Sequence, residues 1–233
     1  PLVEDLAIKV SPRGEVLAEV SVLDVVYGSE LRELLWRVGK FRGNDVLHLN
    51  DVDPVLPSTA ADYPLFEAGD LMVSLRHLDC VFVFDPESGA VRWSAHQPFM
   101  NQHDPDFVGD GWVSVFDNRN DGSLDGAFLG GSRIWLLQPH SGEVRQLYPR
   151  TDSAPAGERR FFTQMGGKTQ LLPNGHWLVT EAQFGRVFEI DANGRTVWEW
   201  GHERLRGGTA VSEVLEGTSY RLSPAAVAQW TAR

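Results

Sequence analysis

The 233-residue sequence predicts an all-β fold, a β-propeller of four-stranded blades, from a repeated hairpin, two further strand families in step with it, and evenly spread turn residues. Cys80-Val-Phe-Val-Phe-Asp-Pro-Glu-Ser-Gly89-Ala-Val-Arg-Trp93, Arg133-Ile-Trp-Leu-Leu-Gln-Pro-His-Ser-Gly142-Glu-Val144 and Arg186-Val-Phe-Glu-Ile-Asp-Ala-Asn-Gly194-Arg-Thr-Val-Trp198 each read as a strand, a tight glycine turn and a returning strand. Val81 to Ile134 is 53 residues and Ile134 to Val187 is 53 again. A constant period of about 50 residues is the spacing of propeller blades, and a sandwich has no reason to repeat its whole strand order in this way. A fourth copy, Leu6-Ala-Ile-Lys-Val-Ser-Pro-Arg-Gly14-Glu-Val-Leu17, begins 75 residues before Val81.

The longer first interval has a visible cause. Leu31, Leu34, Leu35 and Val38 fall at i, i+3, i+4 and i+7, and Ser29 can cap the run, so a short inserted helix is expected over 29–38. The second strand family begins at Gly69, Gly111 and Gly175, each followed by a β-branched or aromatic run; the third comprises His48-Leu-Asn-Asp-Val52, His103-Asp-Pro-Asp-Phe107 and Gly167-Lys-Thr-Gln-Leu171. Three blades are thus readable in full, and residues 1–233 form a single propeller domain. Asp5 to Val20 is an outer hairpin without inner strands. It predicts blade-sized sequence upstream, with a histidine-bearing first strand and an export signal, because an unclosed ring exposes sheet edges.

Composition narrows the function. Hydrophobic residues make up 42% and charged residues 23%, which supports a packed core. No apolar run reaches the ~18–20 residues of a membrane helix. The net charge of −11 argues against nucleic acid as a partner, and it requires any anion site to be a local focus of Arg and His. Cys80 is the single cysteine, so no internal disulfide forms. No nucleophile elbow, zincin helix, phosphate-binding glycine loop or paired C-x-x-C is present, and no cofactor is implied.

First strands line a propeller's channel, so His48 and His103, 55 residues apart in consecutive blades, are expected at equivalent slots, with Gly167 in the third. A turn-pinning role for these histidines is the plainer reading. Asn50 should share the face of His48. Arg76 closes the second strand of the same blade and offers a planar fork of donors suited to sulfate or phosphate, although alternation does not decide between Arg76 and His77. A metal held by His48, His103 and Asp51 or Asp104 has no supporting ligand spacing. Asp117-Asn-Arg-Asn-Asp-Gly122 places Arg119 where a calcium loop needs oxygen, and is read as an acidic turn.

His48-Leu-Asn50, Val73-Ser-Leu-Arg76, Gln102-His103-Asp-Pro, Phe116-Asp-Asn118 and Arg186-Val-Phe-Glu-Ile-Asp191, in this order, resemble the bacterial arylsulfotransferase family, from about Leu6 to the Tyr220–Pro224 tail. The resemblance implies a six-bladed propeller that moves a sulfuryl group from a phenolic sulfate ester to a phenol through a sulfohistidine, in the periplasm or outside the cell. By motif, His103 matches the nucleophile; His48, Asn50 and Arg76 match the groups that bind the sulfuryl and bridging oxygens. Trp93, Phe99, Phe161 and Phe162 are expected to wall the channel mouth for a phenolic substrate. One departure stands: the family has a further channel histidine in an earlier blade, whereas His48 is the first histidine here. The rival class is a non-catalytic propeller that binds a ligand or partner protein; a metal-dependent lyase or hydrolase is a lesser one.

Overall fold

A computed structural model describes residues 3–37, 44–150, 160–201, 213–223 and 227–228. Among the described residues, fourteen strands and two short α-helices follow one another as β1 (Leu6–Val10), β2 (Val16–Ser21), α1 (Val22–Gly28), α2 (Arg32–Arg37), β3 (Leu49–Pro54), β4 (Leu71–Leu75), β5 (Cys80–Phe84), β6 (Val91–Ala95), β7 (His103–Gly109), β8 (Trp112–Asp117), β9 (Arg133–Gln138), β10 (Glu143–Tyr148), β11 (Lys168–Leu171), β12 (Trp177–Glu181), β13 (Arg186–Ile190) and β14 (Thr196–Gly201). They pair into three antiparallel four-stranded sheets, β3-β4-β5-β6, β7-β8-β9-β10 and β11-β12-β13-β14, beside the two-stranded β1-β2. These are the three complete blades and the partial one that the repeat predicts.

The outer hairpins turn alike. Gly89, Gly142 and Gly194 sit at φ 73°, 73° and 76°, and their N–H groups donate to the carbonyls of Asp85, Gln138 and Asp191. Only glycine takes that left-handed conformation without a Cβ penalty. The sheets stack face to face. Met72, Val81 and Val83 of the first blade pack on Val113, Val115 and Leu137 of the second, and Phe116 and Ile134 of the second pack on Val179, Phe188 and Ile190 of the third. The first strands β3, β7 and β11 touch in succession, so they line the axis. Among the described residues the sheets do not close into a ring.

The helix expected over 29–38 is present as α2, and a second short helix, α1, precedes it. Ser21 caps α1 by accepting the N–H of Asp24 at 3.3 Å, and Ser29 stands between the two helices, ending α1 while its Oγ accepts the Leu31 N–H at 3.3 Å at the entrance to α2. The helical stripe is real where it is described: Leu31 and Leu34 join Val22, Val25 and Val26 against Val73, Phe82 and Phe84 of the first blade, while Val38 lies outside the described residues. Burial of these valines outweighs their weak helix preference.

Four aromatics expected at the channel mouth belong elsewhere. Phe99 (4% exposed), Phe161 (7%) and Phe162 (1%) are buried, the first two in the inter-blade cores, and Trp93 stands on the outermost strand β6. The apolar area of Phe99 and Phe161 is spent on stacking the blades.

Candidate functional site

His103 opens β7, opposite Phe116 of β8. Its Nδ1 lies 2.7 Å from Asn118 Oδ1. The Asn118 amide cannot be turned around, because its Nδ2 donates to Thr163 O at 3.0 Å and to Gly166 O at 2.7 Å. With Oδ1 facing the ring, Nδ1 carries the proton and Nε2 keeps the lone pair, which accepts a long 3.3 Å bond from the Gly166 N–H. Burial pushes the imidazole down to about 4; the Asn118 bond opposes this, and the charges of Arg76 and His48 add to it. Gly167, at φ 106°, completes the contact: a Cβ there would come 2.6 Å from the Phe116 ring.

Arg76 is buried (7% exposed) in a single 3-10 turn, Arg76–Leu78, that follows β4. The equivalent position at the end of β8 is held by Asn118, since Leu75 pairs with Cys80 and Asp117 with Arg133. Neither Arg76 nor His77 is turned out of the site. The His77 ring packs on His48 with centroids 4.6 Å apart.

His48 precedes β3 at φ 55°, its N–H on Asp45 Oδ1 at 3.0 Å and its Nδ1 2.5 Å from Asp45 Oδ2. Burial opposes ionisation of Asp45, but the His48 bond and the charges of His48 and His77 hold its carboxyl below the usual range.

Two readings need correction. His48 and His103 are not equivalent. Leu49, one residue after His48, faces Leu75, whereas His103 itself faces Phe116, the counterpart of Ser74. Bulges between Leu49 and Asp51 and between His103 and Asp106 absorb residues at different places, so simple counting misaligns the two strands. For the same reason Asn50 does not simply share a face with His48. It sits in the bulge, where its Nδ2 donates to Gln102 O at 2.8 Å and its Oδ1 is buried without a hydrogen-bond partner. Gln102 is fully buried, and its Nε2 lies 3.0 Å from Ser74 Oγ, 3.2 Å from Leu75 O and 3.0 Å from Cys80 O. Asn50 and Gln102 thereby fasten the first blade to the residue before His103.

The same inner strands carry a carboxylate cluster. Asp51 and Asp53 on β3 and Asp104 and Asp106 on β7 are all pushed upward. For Asp51 burial comes first, then the charges of Asp104 and Asp53, taking it to about 7. Burial and the other three carboxylates raise Asp106. Asp104 is raised by burial despite accepting the Thr169 N–H at 2.6 Å and lying 3.5 Å from Lys168 Nζ. Asp104 and His103 are thus engaged by other partners, and the described ligand-type atoms that converge are those of Asp45, His48 and His77. The acidic turn is as expected, with Asp117 bonded to Met100 N and Trp135 Nε1, and Asp121 to the N–H groups of Ser123, Phe128 and Leu129.

Sequence reasoning named His103, His48, Arg76 and Asn50 but gave no role to Asn118, Gly166 or Asp45. Asn118 ends the Phe116-Asp-Asn118 motif; the other two carry no local signal.

Among solved structures, one of a protein of unknown function from Bacteroides caccae aligns with 90% of this chain and 63% of its own at 14% identity, TM-score 0.53. The WD40 β-propeller domain of Doa1 (15% identity, TM-score 0.43) and virginiamycin B lyase from Staphylococcus aureus (12%, 0.42) also match, over 66% and 84% of this chain. The chain spans 40% of the Doa1 chain and 48% of the lyase. No curated protein sequence matches it significantly. No described helix is long and apolar enough to cross a membrane. The family model for arylsulfotransferase (ASST) matches residues 2–204, most of the chain though short of the Tyr220–Pro224 tail, and on that match the chain belongs to the arylsulfotransferase family.

Proposed function

We propose that the chain transfers a sulfuryl group from a phenolic sulfate ester to a phenol, with His103 as nucleophile and Arg76, His48 and Asn50 around the sulfuryl oxygens. The observation that supports this most is the frame around His103. Asn118 fixes the proton on Nδ1, and burial keeps the ring neutral to about pH 4, so Nε2 carries a lone pair throughout the neutral range, which sulfur reaches by displacing the long Gly166 N–H bond.

In the first half-reaction Nε2 attacks sulfur in line, the S–O bond to the aryl group breaks, and the phenolate leaves with the electron pair. Positive charge develops on the ring, and the Nδ1–H···Oδ1 bond to Asn118 stabilises it. Negative charge spreads over the sulfuryl oxygens, as in phosphoryl transfer, and the buried Arg76 guanidinium is suited to meet it. In the second half an acceptor phenol passes its proton to the released phenolate or to water and attacks sulfur, and the N–S bond breaks to restore the lone pair. Asn50 spends one amide hydrogen on Gln102 O, so its contribution includes holding the strand that carries His103.

The test is a phenolic sulfate assay on the complete natural protein, following release of the phenol and mass-spectrometric labelling of the chain. Label on His103 is expected, and His103→Ala should give neither turnover nor label. Wild-type rates in His103→Ala would refute the reading. No activity on any simple phenolic sulfate would favour a ligand-binding propeller.

A further inference from the structure

We propose that Asp45, His48 and His77 form a binding site for a divalent transition-metal ion of the zinc class. One potential ligand atom from each lies within 4.8 Å of the other two. The three come from two places in the chain: Asp45 and His48 from the approach to β3, and His77 from the turn after β4.

Their arrangement is held from several sides. The main-chain N–H of His48 donates to Asp45 Oδ1 at 3.0 Å, and His48 Nδ1 is 2.5 Å from Asp45 Oδ2, so carboxylate and imidazole are locked to one another. His77 Nδ1 reaches the main-chain carbonyl of Asp45 at 3.0 Å. An imidazole that donates Nδ1–H to a backbone carbonyl keeps its lone pair on Nε2, which is how metal-binding histidines are commonly oriented. A second carboxylate is near: Asp5 accepts the Leu49 N–H at 3.4 Å and interacts electrostatically with Asp45, His48 and His77. The side chains of His48 and Asp45 are 41% and 30% exposed, so an ion can reach them from solvent.

The donor chemistry selects the ion. Two imidazole nitrogens with carboxylate oxygens suit zinc, nickel or cobalt in a four-coordinate setting, whereas calcium and magnesium prefer sites made of oxygen. The inference does not depend on sulfuryl transfer, but it shares His48 with it. An ion held there engages that imidazole and sets its two uses in competition.

Calorimetric titration of the chelator-stripped chain with Zn²⁺ provides the test. One saturable site per chain is expected. His77→Ala and Asp45→Asn should each weaken it by about tenfold or more, in line with losses at metal-site partners. Cobalt(II) should give the visible absorption of a four-coordinate nitrogen–oxygen site, and both variants should lose it. His176→Ala, which removes a ring 2.6 Å from Glu189 on the third blade, should leave affinity unchanged. If His77→Ala does not fold by circular dichroism, His77→Gln takes its place. No saturable binding, or equal affinity in folded His77 and Asp45 variants, would overturn the proposal.

Discussion

The inner strands carry two groups of partly buried ionisable side chains, and desolvation drives both toward neutrality by opposite routes. For His103, low exposure disfavours the cation, and two blades supply partners for both ring nitrogens. The product is a neutral ring at a pH where a solvated imidazole would be half charged. For Asp51, Asp53, Asp104 and Asp106, burial disfavours the anion and mutual repulsion adds to it, with Lys168 opposing. Adjacent residues such as His103 and Asp104 are therefore shifted in opposite directions, each toward its neutral form.

After loss of the nucleophile itself, the largest expected effect comes from removing the positive charge beside the ring. Arg76→Ala should lower single-turnover labelling of His103 by ~10²–10³, the usual cost of one donor to a developing oxyanion. Arg76→Lys should recover little of it, because an ammonium lacks the planar fork. Labelling within a few-fold of wild type would remove Arg76 from the transition state.

A smaller effect sharpens the contrast in linkage. The native carboxylates hold protons above the pH at which the unfolded chain releases them. Their contribution to stability is present below about pH 4 and is lost as pH rises through about 7, the value for Asp51. Asp106→Asn should therefore flatten the decline and stabilise the fold at pH 8 by about 1 kcal/mol, roughly one pKa unit. Urea denaturation at pH 5 and pH 8 measures this, and a variant no more stable at pH 8 would break the comparison. His103 has the opposite sign: its native value lies below the unfolded one, so its contribution is lost as pH falls from about 6.5 toward about 4.

The smallest effect is a shift in profile. Labelling should hold down to about pH 4 rather than fall near ~6.5, the ordinary imidazole value. Asn118→Asp puts an anion on Nδ1 and should move that acid limb upward by about one unit or more. An unmoved limb would show that His103 does not control it.

The blades were legible because a glycine turn and a strand pattern recur at fixed spacing, as around Gly89, Gly142 and Gly194. The site was legible only as residue types. His103 and Arg76 could be named, but the bulges after Leu49 and His103 change which residue faces which, and no local pattern announces a bulge. Phe161 and Phe162 read equally well as channel or core, since hydrophobicity does not say which surface it will cover. The partner of His103 was hidden for a different reason. Asn118 depends for its orientation on Thr163 and Gly166, 45 and 48 residues away, and sequence spacing carries no information on that contact.

That reach across blades has a consequence for how such a protein can be built and taken apart. Repeat proteins gain stability one unit at a time, each resting on its neighbours. The orientation of His103 is different in kind: one blade provides the ring and its amide, and the segment leading into the next blade fixes that amide. A copied blade would bring its histidine without the instruction about which nitrogen bears hydrogen. A chain cut before Thr163 would keep the residue and lose the tautomer, so chemistry here belongs to a junction between repeats and cannot be inherited by either alone.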